Sequence, residues 1–88
     1  MNIDGAIIKE QGQVFAIVIV KSYVTSSTSS CDEMRTSLRT IRDFQGLPIV
    51  LASQDSRGVF EYQGRHDIVD FLASIDSSRI PWKTYTIS

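Results

Sequence analysis

Every position from Val14 to Val20 is apolar, and the segment continues to Val24 (VFAIVIVKSYV) as the richest β-branched run in the chain. An unbroken apolar run of this length marks a strand covered on both faces, hence a central one. Lys21, Ser22 and Tyr23 then predict a strand end emerging towards solvent. Ahead of it, Ala6-Ile7-Ile8 predicts a short strand and Gln11-Gly12 the turn of a first hairpin. A second apolar run, Ile49 to Ala52, is opened by Leu47-Pro48 and followed by Asp55-Ser56-Arg57-Gly58. Asp at the start and Gly at the end suit a type I turn, so Val59 to Tyr62 should return antiparallel.

Between and after these strands the period changes to that of a helix. Met34, Leu38 and Ile41 recur at i, i+4 and i+7 with Phe44 continuing the stripe, and Ile68, Phe71, Leu72 and Ile75 recur at i, i+3, i+4 and i+7. Ser30 with Glu33 fits a capping box, which starts the first helix at about Cys31, while Gly46 and Pro48 give its stop. Asp76 to Arg79 is a polar connector, Pro81 blocks helix continuation, and Trp82 to Ile87 alternates as an edge strand does. The order is ββαββαβ. It predicts a single α+β domain over residues 1–88, a two-layer sandwich of about five strands in a mixed sheet with both helices on one face.

That layering leaves an imbalance. Val14, Ala16, Val18 and Val20 point to one face of the central strand and Phe15, Ile17 and Ile19 to the other. Two helices on one face leave the second face bare, so a second copy of the chain is expected to cover it; a sheet that curls over itself is the competing solution.

Composition narrows the function classes. The 88 residues are 42% hydrophobic and 22% charged, as in ordinary globular domains, and one core must serve all elements. Nine Lys+Arg against ten Asp+Glu leave no basic excess for neutralising phosphates, so nucleic acid is not an expected partner. A single cysteine excludes an internal disulfide, and a single histidine argues against a zinc site; neither metal nor cofactor is expected. The start of the chain lacks the pattern of a secretory signal, and the longest apolar run is too short to span a bilayer, which makes the cytoplasm the expected compartment.

Six residues and one loop stand out as candidates for binding, and one residue for chemistry. Cys31 falls in the first turn of the predicted helix after a central strand, where the helix start favours a thiolate; the alternative is a small buried hydrophobe. Arg35, Arg39 and Arg42 repeat at i, i+4 and i+7 as a basic stripe suited to phosphates or an acidic partner, although Asp32 and Asp43 lie close enough to neutralise part of it. Arg65 and His66 concentrate charge where the last helix begins. Asp67 beside them is expected as its N-cap or first-turn acid, with His66 exposed. The TSSTSS loop, Thr25 to Ser30, offers hydroxyls and helix-start amides to an anion but has no glycine and no phosphate-loop lysine. Trp82 beside Pro81 either presents an aromatic surface or anchors the last strand to the core.

From Val14 to Ile75 the succession of strand, Cys-bearing loop, helix, Leu47-Pro48 strand, hairpin and YxGRxDIVxFL resembles parts of a thioredoxin-like domain. The resemblance implies a CxxC redox pair at the loop. Thr28-Ser29-Ser30-Cys31 keeps only the second of those positions, so dithiol exchange is not implied. Pro48 would correspond to the family's proline beside the redox site, but the strand and helix that normally precede it are absent. A direct strand-helix-strand link also favours parallel pairing, where the family has an antiparallel neighbour. The function expected from the sequence is thus a small non-enzymatic domain acting through protein contacts, as a homodimer and with a further protein partner. The alternatives are a single-thiol redox accessory protein using Cys31, and an anion or nucleotide binder at the start of the first helix.

Overall fold

The computed structural model describes residues 2–10 and 12–87, with Ser77 described by its backbone alone. Strands β1 (Asn2–Glu10) and β2 (Gln13–Ile19) form the first hairpin. Gly12 holds the positive φ of its turn, and Gln11, the other predicted turn residue, lies outside the described residues. A short helix α1 (Ser22–Thr25) and α2 (Thr28–Leu38) lead through a 3₁₀ turn, Arg42–Phe44, to β3 (Ile49–Gln54). Then come β4 (Phe60–Gln63), α3 (His66–Ala73), a 3₁₀ turn at Ser77–Arg79 and β5 (Lys83–Thr86). The sheet has the spatial order β4-β3-β2-β1-β5, with β2 central as its two-sided apolarity requires.

Among the described residues only β2 and β3 run parallel, as a direct strand-helix-strand crossover dictates; the other three pairs are antiparallel. The expected α+β class, five-stranded mixed sheet and ββαββαβ order are all present. At the β3–β4 turn the Gly58 amide donates to the Asp55 carbonyl at 3.0 Å and Gly58 takes φ +82, so a larger residue there is strained. The Asp55 carboxylate accepts the amides of Val59 (3.0 Å) and Arg57 (2.8 Å). Those bonds, Val59's foremost, hold its carboxyl below the ordinary aspartate range.

The layering differs from expectation. The helices lie on opposite faces of the sheet rather than sharing one. Ala16, Val18, Ile49 and Leu51 pack with Cys31 and Leu38 of α2 and with Phe44; Phe15, Ile17, Val50 and Ala52 pack with Ile68 and Leu72 of α3. Topology supplies the reason. Strands β4 and β5 are at opposite edges, so the chain between them must cross the whole sheet, and α1, α2 and the Phe44 turn already occupy the first face. The crossing segment therefore runs over the second, with Ile80 buried and Trp82 packed beside it. Phe15 and Ile17 are 1% and 0% exposed within one chain, so the bare face that motivated a homodimer does not exist.

Two local boundaries also move. β2 stops at Ile19, level with its parallel partner Ala52, and Tyr23 and Val24 belong to α1 instead of a strand end. β1 and β3 both continue alongside, but Lys21 is the N-cap of α1 and its carbonyl accepts the Val24 amide at 2.9 Å, which turns the chain out of the sheet. The cap of α2 is Ser27, whose Oγ accepts the Ser30 amide at 3.1 Å, so the Ser30–Glu33 box is not the helix start. Trp82 precedes β5 and stacks on Phe60 with ring centroids 5.9 Å apart, which makes it a core anchor.

Candidate functional site

Starting α2 at Thr28 brings Cys31 onto the apolar stripe with Met34 and Leu38, since positions three and seven apart share a helix face. Its thiol is 1% exposed and donates to the Val24 carbonyl at 3.4 Å. A buried thiol so placed packs as a small hydrophobe. Alkylation by iodoacetamide in native buffer should therefore be slower than in urea by at least about a hundredfold, following the opening equilibrium of the domain. Comparable rates in the two solvents would show a reachable thiol.

The three arginines of the predicted stripe are separated. Arg35 is half-buried and turned into the protein: Nε donates to the Ile49 carbonyl at 3.0 Å, and Nη2 to the Gln63 carbonyl at 2.8 Å and to Gln63 Oε1. One guanidinium thus ties α2 to the start of β3 and the end of β4. Arg39 is exposed at the C-cap of α2, and Arg42 is exposed in the following 3₁₀ turn rather than on α2. No continuous basic face results, because Leu38 ends the helix before the third arginine. Arg35→Ala should lower stability by about 1–3 kcal/mol, the cost of stranding carbonyls that a charged donor satisfied. Arg35→Lys recovers only part of it, having no fork. A urea titration in which Arg35→Ala matches the parent chain would refute the clamp.

Arg65 is the N-cap residue of α3 and His66 its first residue, exposed as expected. Asp67 takes the first-turn position, not the cap. Arg65 binds it through Nη2–Oδ2 at 2.7 Å and Nε–Oδ1 at 3.2 Å, and this hydrogen-bonded guanidinium holds the Asp67 carboxyl below its usual range. The Asp67 acid is thus directed to Arg65 rather than to His66. Four of the TSSTSS hydroxyls have partners: Thr25 Oγ1 donates to the Ser22 carbonyl and shares a hydrogen bond with Ser53 Oγ, Ser26 donates to the Tyr23 carbonyl, and Ser27 donates to Ser30 Oγ. Through such bonds a Ser/Thr-rich segment closes one helix at Thr25 and starts the next at Thr28.

The structure brings together what sequence reasoning missed: a cleft of ≈ 600 Å³ bounded by the second half of β1, α3 and the connector to β5. Its floor includes Phe71, Ile75 and Ile80, and Lys9, Glu10 and Arg79 lie along it. The available signal was Pro81, which denies a strand its next hydrogen bond, but its consequence depends on a register that only the fold supplies. A second, smaller cleft of ≈ 370 Å³ lies between β4 and the end of α3. Beside it Tyr62 is half-buried, and burial, reinforced by Asp76, pushes its phenol above the ordinary tyrosine range.

Comparison with family models, with curated proteins and with solved structures finds no match for this chain. Among the described residues no helix is long and apolar enough to cross a membrane.

Proposed function

We propose that this chain is a small non-catalytic domain that acts through protein contacts made along the edges of its sheet. The observation that supports this most is the contrast between faces and edges. Both faces are covered from within the chain, whereas the edge strands β4 and β5 each pair on one side only, and β5 leaves half of β1 unpaired. Unpaired strand groups are a template for another strand, and many peptide-binding domains work by adding one. The buried thiol of Cys31 and the internal bonding of Arg35 count against single-thiol chemistry and against a basic stripe on α2.

The self-association expected from the sequence loses its route across an exposed sheet face, since α3 and Ile80 fill that face. A cytoplasmic setting suits a domain with one unpaired, buried cysteine. The test is selection from a random-peptide display library on the immobilised chain. A shared pattern of alternating residues among the enriched peptides supports the proposal. A library with no enrichment over an unrelated immobilised domain counts against it.

A further inference from the structure

We infer that the open half of β1, with the cleft beside it, takes an extended segment of a partner protein as an added strand, with an apolar side chain entering the cleft and an acidic one beside Lys9. The inference rests on the protein-contact reading above and assigns it a site.

Backbone direction comes first. The amides of Ala16 and Val20 donate to Pro48 and Ala52, on the β3 side. By alternation Phe15 and Ile17 turn theirs towards β1, where their partners are Ile8 and Ala6. Ile7 and Lys9 therefore direct N–H and C=O outwards, away from β2. On that side β5 pairs with Asn2 to Gly5 and no further. Continuing the Gly5–Lys83 register would set Pro81 opposite Ile7. Proline has no amide hydrogen to give, and the Trp82 amide donates back to the Ile80 carbonyl at 2.8 Å, a tight turn that takes the chain out of line. The interruption leaves Ile7 and Lys9 as two outward-facing rungs on a strand that is fully extended through Glu10.

Side-chain alternation then describes the occupant. Ile8 belongs to the apolar cluster under α3 and Ile7 to the one under α2, so Glu10 follows Ile8 and Lys9 follows Ile7. A segment antiparallel to β1, in the line that β5 leaves, would place one side chain near Ile8 against Phe71, Ile75 and Ile80. Its neighbour would emerge on the α2 side near Lys9, where a carboxylate makes an opposite-charge cross-strand pair. Lys9 and Arg79 against Glu10 leave the site one positive charge in excess.

A second copy fits less well. Pairing Ile8 with its counterpart in another copy brings that copy's Glu10 to Ala6 and its hairpin with β2 against the neighbouring Gly5–Lys83 rung. Sliding by one rung to clear β5 sets Lys9 against Lys9. A lone strand meets neither obstacle. The other open edge, β4, has the smaller cleft, and among the described residues no cation lines it.

The experiment is a ¹H–¹⁵N titration of the whole chain with a capped synthetic peptide of about six residues, valine alternating with aspartate. In the free chain the Ile7 and Lys9 amides should exchange with solvent at least about tenfold faster than that of Ile8, and the peptide should slow both to a similar rate. Shifts should centre on residues 7–10 with Phe71 and Ile75. N-methylation of alternate peptide amides, or Lys9→Pro, should weaken binding by at least about tenfold. Lys9→Pro removes an outward donor only. As a variant that keeps backbone freedom, Lys9→Glu should weaken the aspartate peptide and favour a valine–lysine one. Shifts centred on residues 60–63, shifts that move residues 7–10 only with a change in molecular mass, an absence of shifts, or indifference to N-methylation would each overturn the inference. The first of these leaves the protein-contact reading standing, whereas failure of the display selection removes that reading itself.

Discussion

Phe44→Ala should lower the free energy of unfolding by about 3–5 kcal/mol. Phe44 is in a short 3₁₀ turn, a place where an exposed aromatic would cost little to remove, yet it is 0% exposed. Its ring packs against Tyr85 of the last strand with centroids 4.7 Å apart. It also fills the space over Gly5, where a Cβ would lie 3.5 Å from Phe44 Cζ and 2.9 Å from the Ile17 carbonyl oxygen. The residue thus joins the α2 crossover to β1 and β5, and truncating it empties a site bordered by strand backbone that cannot collapse inwards. Domains of this kind have about 5–15 kcal/mol in total, so the variant should be partly unfolded at 37 °C. Urea unfolding followed by fluorescence and circular dichroism gives the number; a loss under about 1 kcal/mol would mean that the turn does not pack as described.

Leu72→Ala should cost about 2–5 kcal/mol, while Asp70→Ala on the same helix stays within about 0.5 kcal/mol. Leu72 is 0% exposed and, with Ile68, covers the face formed by Phe15, Ile17, Val50 and Ala52. An eight-residue helix is too short to persist alone in water, so α3 exists because that face holds it, and the face is dry because α3 lies on it. Phe71 adds an edge-to-face contact with Phe15, centroids 6.3 Å apart. Equal, small effects for Leu72→Ala and Asp70→Ala would show the helix detached from the sheet.

Much of this fold is legible in particular residues. The unbroken run from Val14 marks the central strand, Asp55 and Gly58 mark their turn, and the Ile68–Phe71–Leu72–Ile75 stripe marks α3 together with its buried side. Periodicity states which side of a helix is buried but carries no term for which face of a sheet receives it, and so α3 could be assigned to the wrong face. What decides is the strand order, set by long-range pairings such as Asn2 with Thr86. Arg35 illustrates a second limit. Its partners are the carbonyls of Ile49 and Gln63, groups every residue possesses, so its spacing with Arg39 and Arg42 suggested a basic stripe while its function in the fold is a clamp. Cys31 was the reverse: its spacing from Met34 and Leu38 already placed it on the apolar stripe once the cap moved to Ser27. The cleft beside β1 was the least legible feature, because it arises from a strand that stops, and Pro81 acquires that meaning only through the register of β5.

The central claim is that one chain covers both faces of its own sheet and offers partners its edges. Sedimentation equilibrium across a concentration series up to about 100 μM, well above the dissociation constant of a specific protein interface, tests it most directly. With Phe15 and Ile17 sealed by α3 and Ile80, the mass should be that of a single chain throughout. A dimer that persists into the low-micromolar range would contradict the account.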